Sequence, residues 1–155
     1  ALVGGLVPLF VNIVNDWRRN CYERRSTTLR IYAEVKSCIE FVQHRQYVAH
    51  LQQIINLFAQ GHIQSHTYQI QIPNEMFPVY KGSVGQLGIL EATLQVDIVR
   101  FYQFLEGLIQ DVKPGGILNA QPATYAEFQE ALRLARLAMQ TGTKIVDMVE
   151  QKYLA

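Results

Sequence analysis

This 155-residue chain is short of charge: 17% of its side chains are charged, against roughly 25% in an average domain. Fourteen basic and 13 acidic residues leave a net charge of +1, which argues against a dedicated nucleic-acid binder, normally strongly basic. Two cysteines cannot build a disulfide scaffold. No nucleophile elbow and no zinc-type cysteine set occurs, and Gly82, Gly85 and Gly88 lack the lysine-serine ending of a phosphate-binding loop. No pair of carboxylates stands in opposed environments, as acid–base catalysis requires. These absences leave no catalytic residue and no cofactor to expect. What is present is apolar: 49% of residues are hydrophobic, which excludes disorder and points to a surface covered by membrane or by a partner. The length suits one domain with one sizeable core.

The charge is also uneven. Ala1 to Val14 reads ALVGGLVPLFVNIV, without an ionisable side chain, and between Asp16 and Arg30 five arginines face only Asp16 and Glu23. An apolar run, a tryptophan and an arginine cluster, in that order, mark where a transmembrane helix leaves the bilayer on the cytoplasmic side. On this reading Leu2, Leu6, Leu9, Phe10 and Ile13 are membrane-embedded. Trp17 lies at headgroup depth, and Arg18, Arg19, Arg24 and Arg25 face anionic lipid. Fourteen helical residues span only about 21 Å against a hydrocarbon core of roughly 30 Å. Because the chain opens on Ala1, the expectation is that further residues precede it and complete the span. A cleaved signal peptide fits worse, since arginines follow the run instead of a small-residue cleavage site. An apolar helix tucked into the domain's own core is the structural alternative.

No glycine or proline occurs between Pro8 and Gly61. Ile31, Val35, Cys38, Val42 and Ala49 recur at helical spacing, and Tyr47, Leu51, Ile54 and Phe58 continue an apolar face. A continuous helix from Asn15 to Gln60 would be about 69 Å long, whereas a compact domain of this size is about 35–40 Å across. Its first half should therefore project as a stalk. Gly61 reads as a helix C-cap. Tyr68-Gln69-Ile70-Gln71-Ile72 alternates as a short extended segment between breakers. Ser83 and Gln86 have capping-box spacing in a short, glycine-weakened helix. Leu94, Ile98, Phe101, Leu105, Leu108 and Val112 mark a second long helix, stopped by Pro114. Thr124 and Glu127 open a third, with Phe128, Leu132, Ala135, Met139, Val146, Val149 and Tyr153 on one face. The expected fold is all-α: a membrane-anchored antiparallel bundle of three long helices and one short one, with the extended segment in the 61–90 connection.

The stretch FPVYKGSVGQLGILEATLQVDIVRFYQFLEGLIQDV, through Val79, Tyr80, Leu87, Gly88, Leu90, Ile98, Val99, Arg100, Phe101 and Tyr102, resembles a class of small bacterial single-pass membrane proteins of unknown function. In these an N-terminal transmembrane helix and a basic flank lead into a long helix. This chain has Glu91-Ala92 where such proteins often carry proline. The resemblance implies the C-terminal part of a transmembrane helix over 1–14, a basic stalk over 15–30 and a cytoplasmic bundle over 31–155, at a bacterial inner membrane. It transfers no catalytic residue. Read physically, Gly88 lets the chain turn sharply and Leu87 and Leu90 plug the end of the bundle. Phe101 carries the largest apolar surface, Tyr102 keeps its hydroxyl near the surface, and Arg100 can pair with Glu34 or Glu40.

His62 and His66 have the i, i+4 spacing of metal ligands, but they follow a helix-ending glycine and have no third ligand nearby, so they are weak candidates. Cys21 and Cys38, about 26 Å apart on one helix, cannot form a disulfide. Three functions follow in order. The first is a non-enzymatic, membrane-anchored interaction protein, an accessory or scaffold subunit whose partners are the lipid bilayer and other membrane-protein subunits or copies of itself. The second is a small-ligand sensor with a pocket lined by Tyr68, Tyr80 and His66. The third is a metal-dependent enzyme using His62 and His66.

Overall fold

The computed structural model describes residues 6–73 and 75–155. Helix makes up 76% of the chain and no strand forms among the described residues, which makes the architecture all-α. Its spine is an antiparallel pair, α4 (Ala92–Val112) against α5 (Tyr125–Val149). The buried positions of α4, Leu94, Ile98, Phe101, Leu105 and Val112, follow the helical period read in the sequence. The capping box forms as expected: the Thr124 N–H donates to Glu127 Oε2 at 2.6 Å, satisfying a donor that the first turn of α5 cannot satisfy itself.

The long N-terminal helix is broken. It runs as α1 (Leu6–His44) and resumes as α2 (Tyr47–Ala59), where the sequence pattern predicts one helix through Gln60. Gln46 adopts left-handed backbone, φ 54°, at a cost of about 1–2 kcal/mol for a residue with a Cβ. The reason is tertiary. Ile31, Val35 and Ile39 of α1 belong to one core, whereas Leu51, Ile54 and Ile55 of α2 belong to a second one built on Val112, Leu118, Phe128 and Leu132. The kink re-aims the apolar face, and Phe41 meets Tyr47 edge-on across it at 6.1 Å. Both segments run antiparallel to α5: Tyr32 bonds Glu150, and Gln52 bonds Arg136. There are thus four helices of more than ten residues plus a short one, not three plus one.

Gly61 ends α2 in left-handed conformation at φ 72°, with the His62 N–H donating to Leu57 O and the Gly61 N–H to Phe58 O, the Schellman pattern. The following segment is extended but forms only an isolated bridge, His66 to Ala123. The Tyr68 N–H reaches Leu118 O at 2.7 Å, and Tyr68, Ile70 and Ile72 pack on the second core. A six-residue helix, α3 (Pro78–Ser83), and a 3-10 turn over Val84–Ile89 lead into α4. Leu87 and Leu90 are buried in the first core. The Ser83–Gln86 capping box does not form. Ser83 Oγ is buried without a partner, and Gln86 instead accepts bonds from Thr27 and Arg30. Nor does Gly88 make a left-handed turn: positive φ among glycines occurs at Gly61 and Gly115, and a Cβ at Gly88 would meet open space.

The membrane placement is corrected as well. Among the described residues no helix is long and apolar enough to cross a membrane. The apolar part of α1 is only nine residues, Leu6 to Val14, about 14 Å, before Asp16, Arg18 and Arg19 enter. The inner-membrane location therefore falls; the side chains of Leu6, Leu9 and Phe10 lie outside the described ones, and Ile13, Trp17, Arg18, Arg19, Arg24 and Arg25 are exposed on α1. Leu2 lies outside the described residues.

Three helices meet at Gly142 of α5. A Cβ there would lie 2.6 Å from Phe101 Cε2 and 2.9 Å from Ile39 Cδ1, inside contact distance for two buried side chains. Gly142→Ala is expected to lower stability by about 1–3 kcal/mol by overpacking, although alanine is the better helix former. Urea unfolding measures it, and a stabilised variant would show that the crossing is not tight.

Candidate functional site

The projecting half of α1 is the most unusual surface of the molecule, and its direction is set by what holds the other half. At the centre is Glu34. Its Oε1 accepts the Val79 N–H at 2.9 Å; its Oε2 accepts the Tyr80 N–H at 2.9 Å and the Tyr102 hydroxyl at 2.7 Å. The sequence explains the need. α3 starts at Pro78, and the residue before it, Phe77, has no side-chain oxygen and a left-handed φ of 61°. A helix whose N-cap is phenylalanine must borrow an acceptor for its first free N–H groups. Glu34 supplies it from another element.

Tyr102 completes the node. It is fully buried, stacked on Tyr80 at 3.9 Å between ring centroids and met edge-on by Phe77 at 5.1 Å. Burial, then the bond to Glu34, pushes its hydroxyl pKa far upward, so it remains a donor. The expectation of a surface hydroxyl at Tyr102 is therefore wrong, and so is the pairing of Arg100. Arg100 is exposed and makes no ion pair among the described residues. Asp97, one turn earlier, is buried against Lys144 Nζ at 2.7 Å. Phe101 is buried beside Tyr102.

Two further contacts grip α1 just below its free half. Arg24 Nε donates to Ile89 O at 2.9 Å, and Arg30 Nη2 donates to Gln86 Oε1 at 2.9 Å. N-terminal to Arg24 the helix leaves the bundle. Every residue from Val11 to Arg25 is exposed, including Ile13 at 57%, Trp17 at 65% and Tyr22 at 75%. Arg19 is flanked by Asp16 and Glu23 at 3.9 and 3.8 Å, whereas Arg18 and Arg25 are exposed without an ion pair among the described residues. Trp17, Arg24 and Ile31 are seven apart, as are Cys21, Thr28 and Val35. At about 20° of drift per seven residues, Trp17 and Cys21 continue the row that the bundle covers.

The histidines do not converge. His62 is exposed, and His66 is bridged to Ala123 with its ring 5.9 Å from Phe128. Among the described residues no three His, Cys, Asp or Glu side chains are grouped to hold a metal. Of the three residues expected to line one pocket, Tyr68 borders a cavity, Tyr80 stacks on Tyr102, and His66 packs on Phe128. Glu34 and Gln86 are the positioning residues that sequence reasoning misses. The available signal was Phe77-Pro78, a helix start with no acceptor of its own. Compared with family models, curated proteins and solved structures, the chain matches none.

Two predictions follow from this arrangement. Tyr102→Phe removes one of the three donors to Glu34 and is expected to cost about 1–2 kcal/mol, while Glu34→Ala strands all three and is expected to cost about 2–4 kcal/mol. Equal costs in urea unfolding would contradict a shared node. The thiols should also separate: Cys21 is exposed, whereas burial pushes Cys38 up to about 11. At pH 8 iodoacetamide should modify Cys21 first and leave Cys38 largely unreacted, as peptide mass mapping would read.

Proposed function

We propose that this chain is a non-enzymatic helical interaction protein, an accessory or scaffold subunit that binds a second helix along the projecting half of α1. The observation that carries this reading is the continuous row. The face of α1 that packs on α5 as Ile31 and Val35 continues past the bundle as Ile13, Trp17 and Cys21, all exposed among the described residues. An exposed tryptophan among arginines, on a rigid helix, has the composition of an interface hot spot. The clamps at Arg24, Arg30 and Glu34 support the same reading, because they fix the helix as a rigid mount. The carboxylates argue for structure over catalysis: Glu34 is saturated with hydrogen bonds and Asp97 is neutralised by Lys144. The second helix belongs to another copy of this chain or to another subunit of an assembly.

Sedimentation velocity on the pure chain and on natively purified material tests this. A species heavier than the monomer is expected in at least one of them, with Trp17→Glu weakening the association at least about 10-fold, as for a hot-spot residue. Monomer mass in both preparations overturns the reading.

A further inference from the structure

Between the two cores lies a cavity of about 90 Å³. Its floor is Leu51, Phe77, Leu105 and Val112, each at most 6% exposed. Its rim is made by exposed residues, Phe41 at the end of α1 and Gln71 and Pro73 of the extended segment. Among the described residues, no Asp, Glu, Lys, Arg or His side chain lines it. Of the titratable groups in its wall, the Cys38 thiol and the Tyr68 hydroxyl are pushed upward by burial, which keeps both uncharged at neutral pH. Protein interiors are normally filled to crystal density, so an apolar recess left open between two cores is a gap in the packing.

The dimensions and the rim select the occupant. A cavity of roughly 150 Å³ accepts benzene, so this one is too small for an aromatic ring and matches a short run of methylene groups. It opens at the Phe41 ring, and over that ring lies the Arg45 guanidinium, 5.6 Å from the centroid. Arg45 is exposed and carries no carboxylate partner among the described residues. We propose that the cavity takes the end of an unbranched alkyl chain from a single-chain amphiphile, with its carboxylate head on Arg45 at the mouth. The apolar walls desolvate the chain, and the Arg45 cation beside the rim decides the charge of the head. This site is independent of the Trp17 surface, on the far side of the α1 clamps.

Isothermal titration calorimetry of the full chain with decanoate, and separately with decanol, both below micelle formation, tests the proposal. Saturable binding of decanoate is expected. Val42→Phe, which fills the cavity from α1, should weaken it at least about 10-fold without lowering the melting temperature; Leu108→Phe fills it from α4 should the first variant fail to fold. Arg45→Gln should weaken decanoate about 5-fold, the scale of an exposed ion pair, and leave decanol unchanged. No saturable heat from decanoate, binding untouched by the filling variants, or loss of decanol and decanoate alike in Arg45→Gln would each overturn it.

Discussion

The structure depends on one carboxylate. α3 is six residues long, begins on proline and is preceded by a phenylalanine in left-handed conformation, so it has neither the length nor the cap to exist alone. Glu34 gives it both N–H acceptors and, through the Tyr102 hydroxyl, ties it to α4. A single side chain of α1 thereby joins three helices. The cost of holding Phe77 in a sparsely populated conformation, of order 1–3 kcal/mol, is met because its ring is buried against Tyr102 in the same place. Other polar contacts tie the helices in pairs, such as Asp97 with Lys144 and Tyr32 with Glu150, but the Glu34 node joins three at once and so bears on which way α1 points.

The second constraint is length. α5, at 25 residues, is about 37 Å long and serves two cores in succession. The first is shared with α1 and the 84–90 turn, the second with α2 and the 66–72 segment. One straight N-terminal helix cannot keep its apolar face on both, so the chain changes direction at Gln46. The cavity lies where the two cores adjoin, against Val42 and Tyr47 on either side of the break, and the imperfect join between two well-packed halves gives it a physical origin.

The sequence was legible where a local rule decides and illegible where a distant residue does. The period of Leu94, Ile98, Phe101 and Leu105, the Thr124–Glu127 cap and the Gly61 terminus were all readable, because each is settled within a few residues. The break at Gln46 was not. Nothing near it is glycine or proline, and the left-handed residue answers to cores assembled from residues as distant as Val149. The burial of Tyr102 was misjudged for a similar reason, since its hydroxyl is satisfied by Glu34, 68 positions earlier. The apolar N-terminus suggested lipid, but no helix among the described residues is long and apolar enough to cross a membrane. Of the proposed interaction surface, Trp17 and the arginines stood out by composition. That Trp17 shares a row with Ile31 while Arg24 is tied to Ile89 required the structure.

The exposed portion of α1, from Val11 to Arg25, is a rod of 15 residues, about 22 Å long, gripped at Arg24 and Arg30. A rod magnifies angle into distance. A tilt of about 10° at the grip displaces Val11 by roughly 4 Å, most of a helical pitch. The 84–89 turn, where Ile89 O and Gln86 Oε1 hold those two arginines, therefore sets the aim of the rod, and a small difference in the placing of that turn is multiplied several-fold at the far end.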